Sequence, residues 1–225
     1  MNYCAGDFRS AELVSLLRQA DVVVTNPPFS VFREFVAQLI DYDKKFLILG
    51  NKNAITYKEI FPLIKENKLW VGFTPMSREI YFDVPQDYID EGLDAGKDRS
   101  IVIHDGRHMA RSQSIWYTNI ETPRSYWELD LWKEYSPEEY PRYDNYDAIE
   151  VSKTAEIPVD YFGVMGVPIT FLDKYCPDQF ELLGCTYSYG DCGCHVAGTD
   201  WNAYLNGKRM FKRLFIRRRR DDFKE

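Results

Sequence analysis

A chain of 225 residues with 45% hydrophobic content is long enough for one sizeable core with an appended lobe, or for two small domains, and is too apolar to stay disordered. No apolar run approaches the length of a membrane span and Met1-Asn2-Tyr3 opens no signal peptide, so the cytoplasm is the expected compartment. The net charge of −7 argues mildly against a nucleic-acid partner, but it is unevenly spread: from Asn206 to Glu225 there are nine Lys or Arg against three Asp or Glu, a local +6 that leaves −13 for residues 1–205.

In chain order, Gly6-Asp7-Phe8 precedes a predicted helix from Ser10 to Ala20, with Ser10 as its cap. Asp21 to Thr25 contains an unbroken β-branched run, the pattern of a central parallel strand covered on both faces. It delivers Asn26-Pro27-Pro28-Phe29, a stiff polar corner beside a flat aromatic ring. The Asn26 side-chain carbonyl and the Pro27 backbone carbonyl are two acceptors suited to one planar NH2 group, and proline adds no competing donor. Two acceptors on one amine draw its lone pair out of conjugation and aim it at an electrophile, as methylation by S-adenosylmethionine requires. Proline-rich turn punctuation is the plainer reading of the same residues.

Ser30 stands at a cap position, and Phe32, Phe35, Val36, Leu39 and Ile40 make one apolar helix face. A second strand, Phe46 to Leu49, ends in Gly50-Asn51-Lys52-Asn53. Thr56 and Glu59 have capping-box spacing, and Pro62 in the second turn predicts a kink or early break. The alternation predicts a doubly wound α/β sheet with ligands at the carboxyl ends of its strands, where Asn26 and Asn51 both fall.

Beyond residue 73 the pattern weakens. Thr74 to Asp98 reads as an irregular insertion, Arg99 to His104 and Ser114 to Asn119 as short strands, and Pro123 to Tyr146 as aromatic, loop-rich surface. Arg107, Arg111 and Arg124 suit phosphates or guanine edges, or more simply surface ion pairs. Lys208, Arg209, Lys212, Arg213, Arg217, Arg218, Arg219 and Arg220 read either as a DNA-binding patch or as a solvated basic tail. The odd cysteine count argues against a disulfide framework. Cys185, Cys192, Cys194 and His195 have zinc-ligand chemistry without a standard spacing, so reduced thiols and no metal are expected.

Asp21 through Phe73 resembles the adenine-specific DNA methyltransferases of the EcoRI type. The matching stretches are VVVTNPPFSVFREFVAQLI, KKFLILGNKNAITYKEIFPLIKENKLWVGF, DYFGVMGVPITFLDKYCPDQFELLG and NGKRMFKRLFIRRR, together about half the chain and in the family's order. The resemblance implies S-adenosylmethionine as cofactor and double-stranded DNA as partner, as in bacterial or phage restriction–modification. It also implies an adenine flipped from the duplex, held by Asn26 and Pro27, with Phe29 stacked on it and Pro28 completing the corner. Asp7 and Phe8 resemble the family's later cofactor motif, in which an acidic residue approaches the adenine half; a solvated turn is the alternative. The glycine-rich cofactor loop of the family is absent. The implied fold is therefore a Rossmann-like methyltransferase sheet incomplete at its N-terminus, with an appended loop-rich, mixed α+β recognition region. Expected divisions are residues 1–73 for the partial catalytic core, 74–150 for insertion and recognition, and 151–225 for a C-terminal region with a basic tail. Without the loop, weak cofactor binding is expected unless an upstream segment or partner subunit supplies it. An amino-methyltransferase acting on RNA or protein glutamine, and a non-catalytic DNA-binding module or split-enzyme half, remain the alternatives.

Overall fold

A computed structural model of the chain describes residues 6–85, 101–186 and 192–220, except the side chain of Arg124. The helices among them are α1 (Ala11–Gln19), α2 (Phe32–Asp41) and α3 (Phe61–Lys65). The strands are β1 (Val22–Thr25), β2 (Lys45–Asn51), β3 (Trp70–Val71), β4 (Ile80–Asp83), β5 (Ile101–His104), β6 (Arg107–Ser112), β7 (Ser114–Thr118), β8 (Ile149–Glu150), β9 (Met165–Pro168), β10 (Phe180–Cys185), β11 (Tyr204–Leu205), β12 (Lys208–Arg209) and β13 (Arg213–Arg218).

The first sheet has the order β1-β2-β7-β3. β1 pairs parallel to β2, with Thr25 opposite Ile48, while β7 runs antiparallel to both β2 and β3. Two antiparallel steps restore direction, so β1, β2 and β3 point the same way and their carboxyl ends share one edge. The expected α/β character is present, but the sheet is mixed rather than a doubly wound parallel sheet. Among the described residues β1 also stands at the edge of the sheet, pairing only with β2, and Val22 and Val24 are 47% and 64% exposed. The apolar run that suggests two-sided burial instead lines an open flank.

Local signals meet mixed outcomes. Ser10 caps α1 as expected, its Oγ accepting from the Leu13 N–H at 3.3 Å. Ser30 does not cap α2: Phe29–Val31 form a 3-10 turn, and the helix begins at Phe32. The apolar face of α2 holds, with Phe32, Val36 and Leu39 buried. Thr56 and Glu59 form no capping box; Thr56 closes a 3-10 turn and its hydroxyl donates to the Asn53 carbonyl. Helix α3 starts later, which places Pro62 in its first turn, where a missing N–H costs nothing.

The stretch read as irregular contributes β4, which joins β6 and β5 in a three-stranded antiparallel arm. Its residues 86–98 lie outside the described set. The arm leaves after β3 and returns into β7, so it is rooted at the edge where β1, β2 and β3 end. A second four-stranded sheet, β10-β13-β9-β8, fills much of the C-terminal region. One apolar cluster runs through both sheets, from Phe32, Phe46, Ile48 and Tyr117 to Met165, Phe180, Leu214 and Ile216.

Candidate active site at the carboxyl edge of the first sheet

Asn26 follows directly on β1 and is exposed, Pro27 is buried, and Pro28 and Phe29 are exposed. The corner is anchored from behind by packing. Phe32, at the start of α2, lies against Gly50 of β2 so closely that a Cβ there would sit 2.4 Å from its ring. Tyr117, fully buried, closes the other side of that contact and donates its hydroxyl to the Asn51 carbonyl at 2.9 Å. Burial drives its phenol far above the ordinary tyrosine range, so it stays a neutral donor. Glycine is required at position 50 by close approach, and that approach fixes the helix issuing from the corner.

A cavity of about 680 Å³ opens between α1, β1 and the corner, lined among others by Asp7, Phe8, Asn26, Pro27, Pro28 and Ser30. Its volume lies in the roughly 300–1,000 Å³ range of small-molecule sites. Thus Asp7, Phe8 and Asn26, the three residues expected at a cofactor, share one cavity. Phe29 is not among its walls; it stands 45% exposed on the outer lip, where a base arriving from outside would meet it.

Asp7 is held by Arg9. The Arg9 backbone N–H and Nε both donate to Oδ1 at 2.9 Å, and Nη2 donates to Oδ2 at 2.8 Å. These bonds lower the Asp7 carboxyl to about 2, so it is ionised at neutral pH. Phe8 packs edge-on against Phe35 at 5.2 Å, and Leu13, Leu17 and Val23 complete an apolar wall. An ionised acceptor beside flat apolar surface fits the adenine half of S-adenosylmethionine in chemistry and in size. Arg9 and Gln38, which donates to the Phe8 carbonyl at 3.2 Å, are site residues that sequence inspection passes over. An arginine two residues beyond an aspartate in a turn has no spacing rule to announce it.

The basic residues divide. Lys208 and Arg209 form β12 and are exposed. Lys212 reaches the first sheet, donating to Thr56 Oγ1 at 3.1 Å and Asn53 Oδ1 at 3.4 Å, just beyond the end of β2. Its partial burial lowers its pKa. Arg213 leaves the surface set: it is 9% exposed and paired with Glu150 at 2.8 Å, because a buried guanidinium needs a carboxylate partner. Arg217 pairs with Glu181 at 3.7 Å, and Arg218 donates to the Val159 carbonyl. Arg219 donates to the Pro177 carbonyl at 2.7 Å, and Arg220 lies over the Phe162 ring. This run is therefore laid along the second sheet and is no free tail. Arg219 also neighbours Tyr175, which packs on Trp70, the residue that begins β3. The run thus sits toward the amino edge, away from Asn26.

Other sequence expectations resolve as follows. Arg107 and Arg111 form ion pairs with Asp83 at 3.9 Å and Glu79 at 3.1 Å. Cys192 and Cys194 are joined in a disulfide, against the expectation of reduced thiols, while Cys176 and Cys185 are buried and take no part in a disulfide. The two-residue separation lets one short loop bring both sulfurs together. His195 stacks on Trp201 at 4.1 Å, with Nε2 3.1 Å from the Asp200 carbonyl. Among the described residues no three His, Cys, Asp or Glu side chains converge as a metal set. No helix among them is long and apolar enough to cross a membrane.

The described residues thus form an α/β chain with an amide–proline corner at the strand ends, opening on a cavity of small-molecule size. Residues 3–219 match the family described as adenine-specific methyltransferase EcoRI, and the chain belongs to that family. It is 46% identical over 222 residues to the Type II methyltransferase M.EcoRI of Escherichia coli, covering 97% of this chain and 64% of that protein. It is 39% identical over 229 residues to the Type II methyltransferase M.MpnI of Mycoplasma pneumoniae, covering 96% of this chain and 70% of the relative. M.MgeORF184P of Mycoplasma genitalium is likewise 39% identical, over 223 residues. The chain thus spans less than two thirds of M.EcoRI. No solved structure matches it.

Proposed function

We propose that this chain carries the catalytic part of a site-specific DNA methyltransferase that transfers a methyl group from S-adenosylmethionine to N6 of a flipped adenine, within a restriction–modification setting. The observation that carries the reading is the exposure of Asn26 at the carboxyl end of β1, on the rim of the cavity that also holds ionised Asp7. S-adenosylmethionine, when bound, supplies an electrophilic methyl group. The Asn26 amide carbonyl and the Pro27 carbonyl accept from the two N–H bonds of the target amine and turn its lone pair toward the cavity. Phe29 on the outer lip stacks on the purine once it leaves the duplex. Asp7, Phe8 and the apolar wall orient the cofactor, with no step of their own. Lys212 supplies a phosphate contact beside the same edge, exposed Lys208 and Arg209 add further ones, and the β4-β6-β5 arm rises from that edge as recognition surface.

A second reading, a DNA-binding segment that needs further polypeptide for cofactor affinity, has one observation in its favour. The flank of β1 is open, with Leu16, Val22 and Val24 exposed beside the cavity. Incubation with methyl-labelled S-adenosylmethionine and duplex DNA, RNA or protein separates the readings. Label in adenine N6 of duplex DNA, lost in Asn26→Ala, is expected. Label only in RNA or protein would overturn the DNA assignment. DNA binding without label would favour the second reading.

A further inference from the structure

Arg9 has no role in the chemistry described above, yet it contacts Asp7, Phe8 and Glu34 beside the cavity. Its backbone N–H and Nε occupy Asp7 Oδ1, and Nη2 takes one lone pair of Oδ2. A carboxylate oxygen has two acceptor positions, so Oδ1 is filled and Oδ2 keeps one. The Arg9 guanidinium carbon lies 5.1 Å from the centre of the Phe8 ring, and that ring meets Phe35 of α2 edge-on. The remaining end of the guanidinium, Nη1, donates at 2.9 Å to Glu34, in the first turn of α2. Only Ser30 and Val31 separate that helix from the Asn26–Phe29 corner. One planar fork therefore ties the Asp7–Phe8 segment to the helix that issues from the corner.

We propose that Arg9 is a positioning residue of the cofactor site: it fixes the Asp7 carboxylate so that one acceptor position of Oδ2 is left for an aromatic amine, and brackets that acceptor to the catalytic corner through Glu34. The inference rests on the reading of Asp7 as a cofactor residue. It assigns to Arg9 the choice of an amino-substituted purine over an oxo-substituted one. A rotating carboxylate would serve the 6-amine of adenine, the N1–H of hypoxanthine or water alike; a carboxylate locked in one plane serves an N–H donor arriving from one direction. Lysine keeps the charge and cannot reproduce the fork.

The test compares equilibrium binding of S-adenosylhomocysteine and S-inosylhomocysteine, which differ at the purine amine, by ligand-observed NMR on the full chain. Wild type is expected to prefer the adenine ligand. Arg9→Ala and Arg9→Lys are each expected to lose about tenfold of that preference, as for one charge-assisted hydrogen bond, and to approach Asp7→Asn. Arg9→Lys decides the matter if Arg9→Ala does not fold. An unchanged ratio in Arg9→Lys, or equal weakening of both ligands, would overturn the positioning role while leaving Asp7 as a cofactor residue. Absence of any preference in wild type would remove the Asp7 reading, and the Arg9 role with it.

Discussion

At the scale of single residues, exposure separates the groups that can act from those that hold the frame. Asn26 is open to solvent on the rim of the cavity, whereas Arg213 and Glu150 are committed to each other in the second sheet. On the proposed function, Asn26→Ala is expected to reduce adenine methylation by about a hundredfold or more, the usual loss when a donor or acceptor aimed at the reacting group is removed. Cofactor affinity should be nearly intact, since the side chain acts on the amine. Phe29→Ala is expected to weaken retention of the flipped base by about 1–3 kcal/mol, read from 2-aminopurine fluorescence at the target position. Equal loss of cofactor binding in both variants would make the corner merely structural. Asp7 gives a pH prediction. Its carboxyl stands at about 2 in the folded chain against 3.8 as a free side chain, so the pair with Arg9 favours folding fully above pH 3.8. That contribution is lost as pH falls from there toward 2. Acid unfolding of wild type and Arg9→Ala should therefore converge within that window and differ above it.

At the scale of elements, the decisive contact is between α2 and β2. Phe32 occupies the space a side chain at position 50 would need, and Tyr117 of β7 closes the same gap at 2.9 Å. Gly50→Ala is expected to destabilise the fold by about 1–3 kcal/mol, as overpacking does, measured by urea unfolding. It should also lower methylation at temperatures where the variant is folded, because a single 3-10 turn links the corner to Phe32. Unchanged stability would mean that α2 slides freely on the sheet. Both strands at the corner are readable from composition, since Val22–Val24 and Phe46–Leu49 are β-branched or aliphatic runs bounded by turn residues. The starts of α2 and α3 are not. Phe29–Val31 and Lys52–Thr56 close as 3-10 turns, a choice between nearly equal local geometries that packing settles.

At the scale of the whole molecule, the basic C-terminal stretch is two surfaces. Lys212 lies at the end of β2 near the corner, while Arg217 to Arg220 lie along the second sheet toward the other edge. If the duplex crosses the carboxyl edge, Lys212→Gln should lower the slope of log affinity against log salt by about 0.9, the value for one phosphate contact. Arg220→Gln should leave the slope unchanged. Fluorescence anisotropy with duplex DNA over a salt series reads both, and the reverse pattern would place the duplex on the second sheet.

What the sequence determined by itself is local. An amide, two prolines and an aromatic ring after a β-branched run are neighbours in the chain, so their joint meaning survives without coordinates. The same holds for the apolar stripe of α2, whose Phe32, Val36 and Leu39 are buried. The tertiary structure decided what depends on distant partners. Arg213 reads as tail because its carboxylate, Glu150, is 63 residues away. β1 reads as central because an apolar run looks the same whether one flank or both are covered. Cys192 and Cys194, adjacent but for one glycine, could be joined or apart until the loop was closed. Side-chain identity sets which bonds can form; only the paths of remote segments set which of them are within reach.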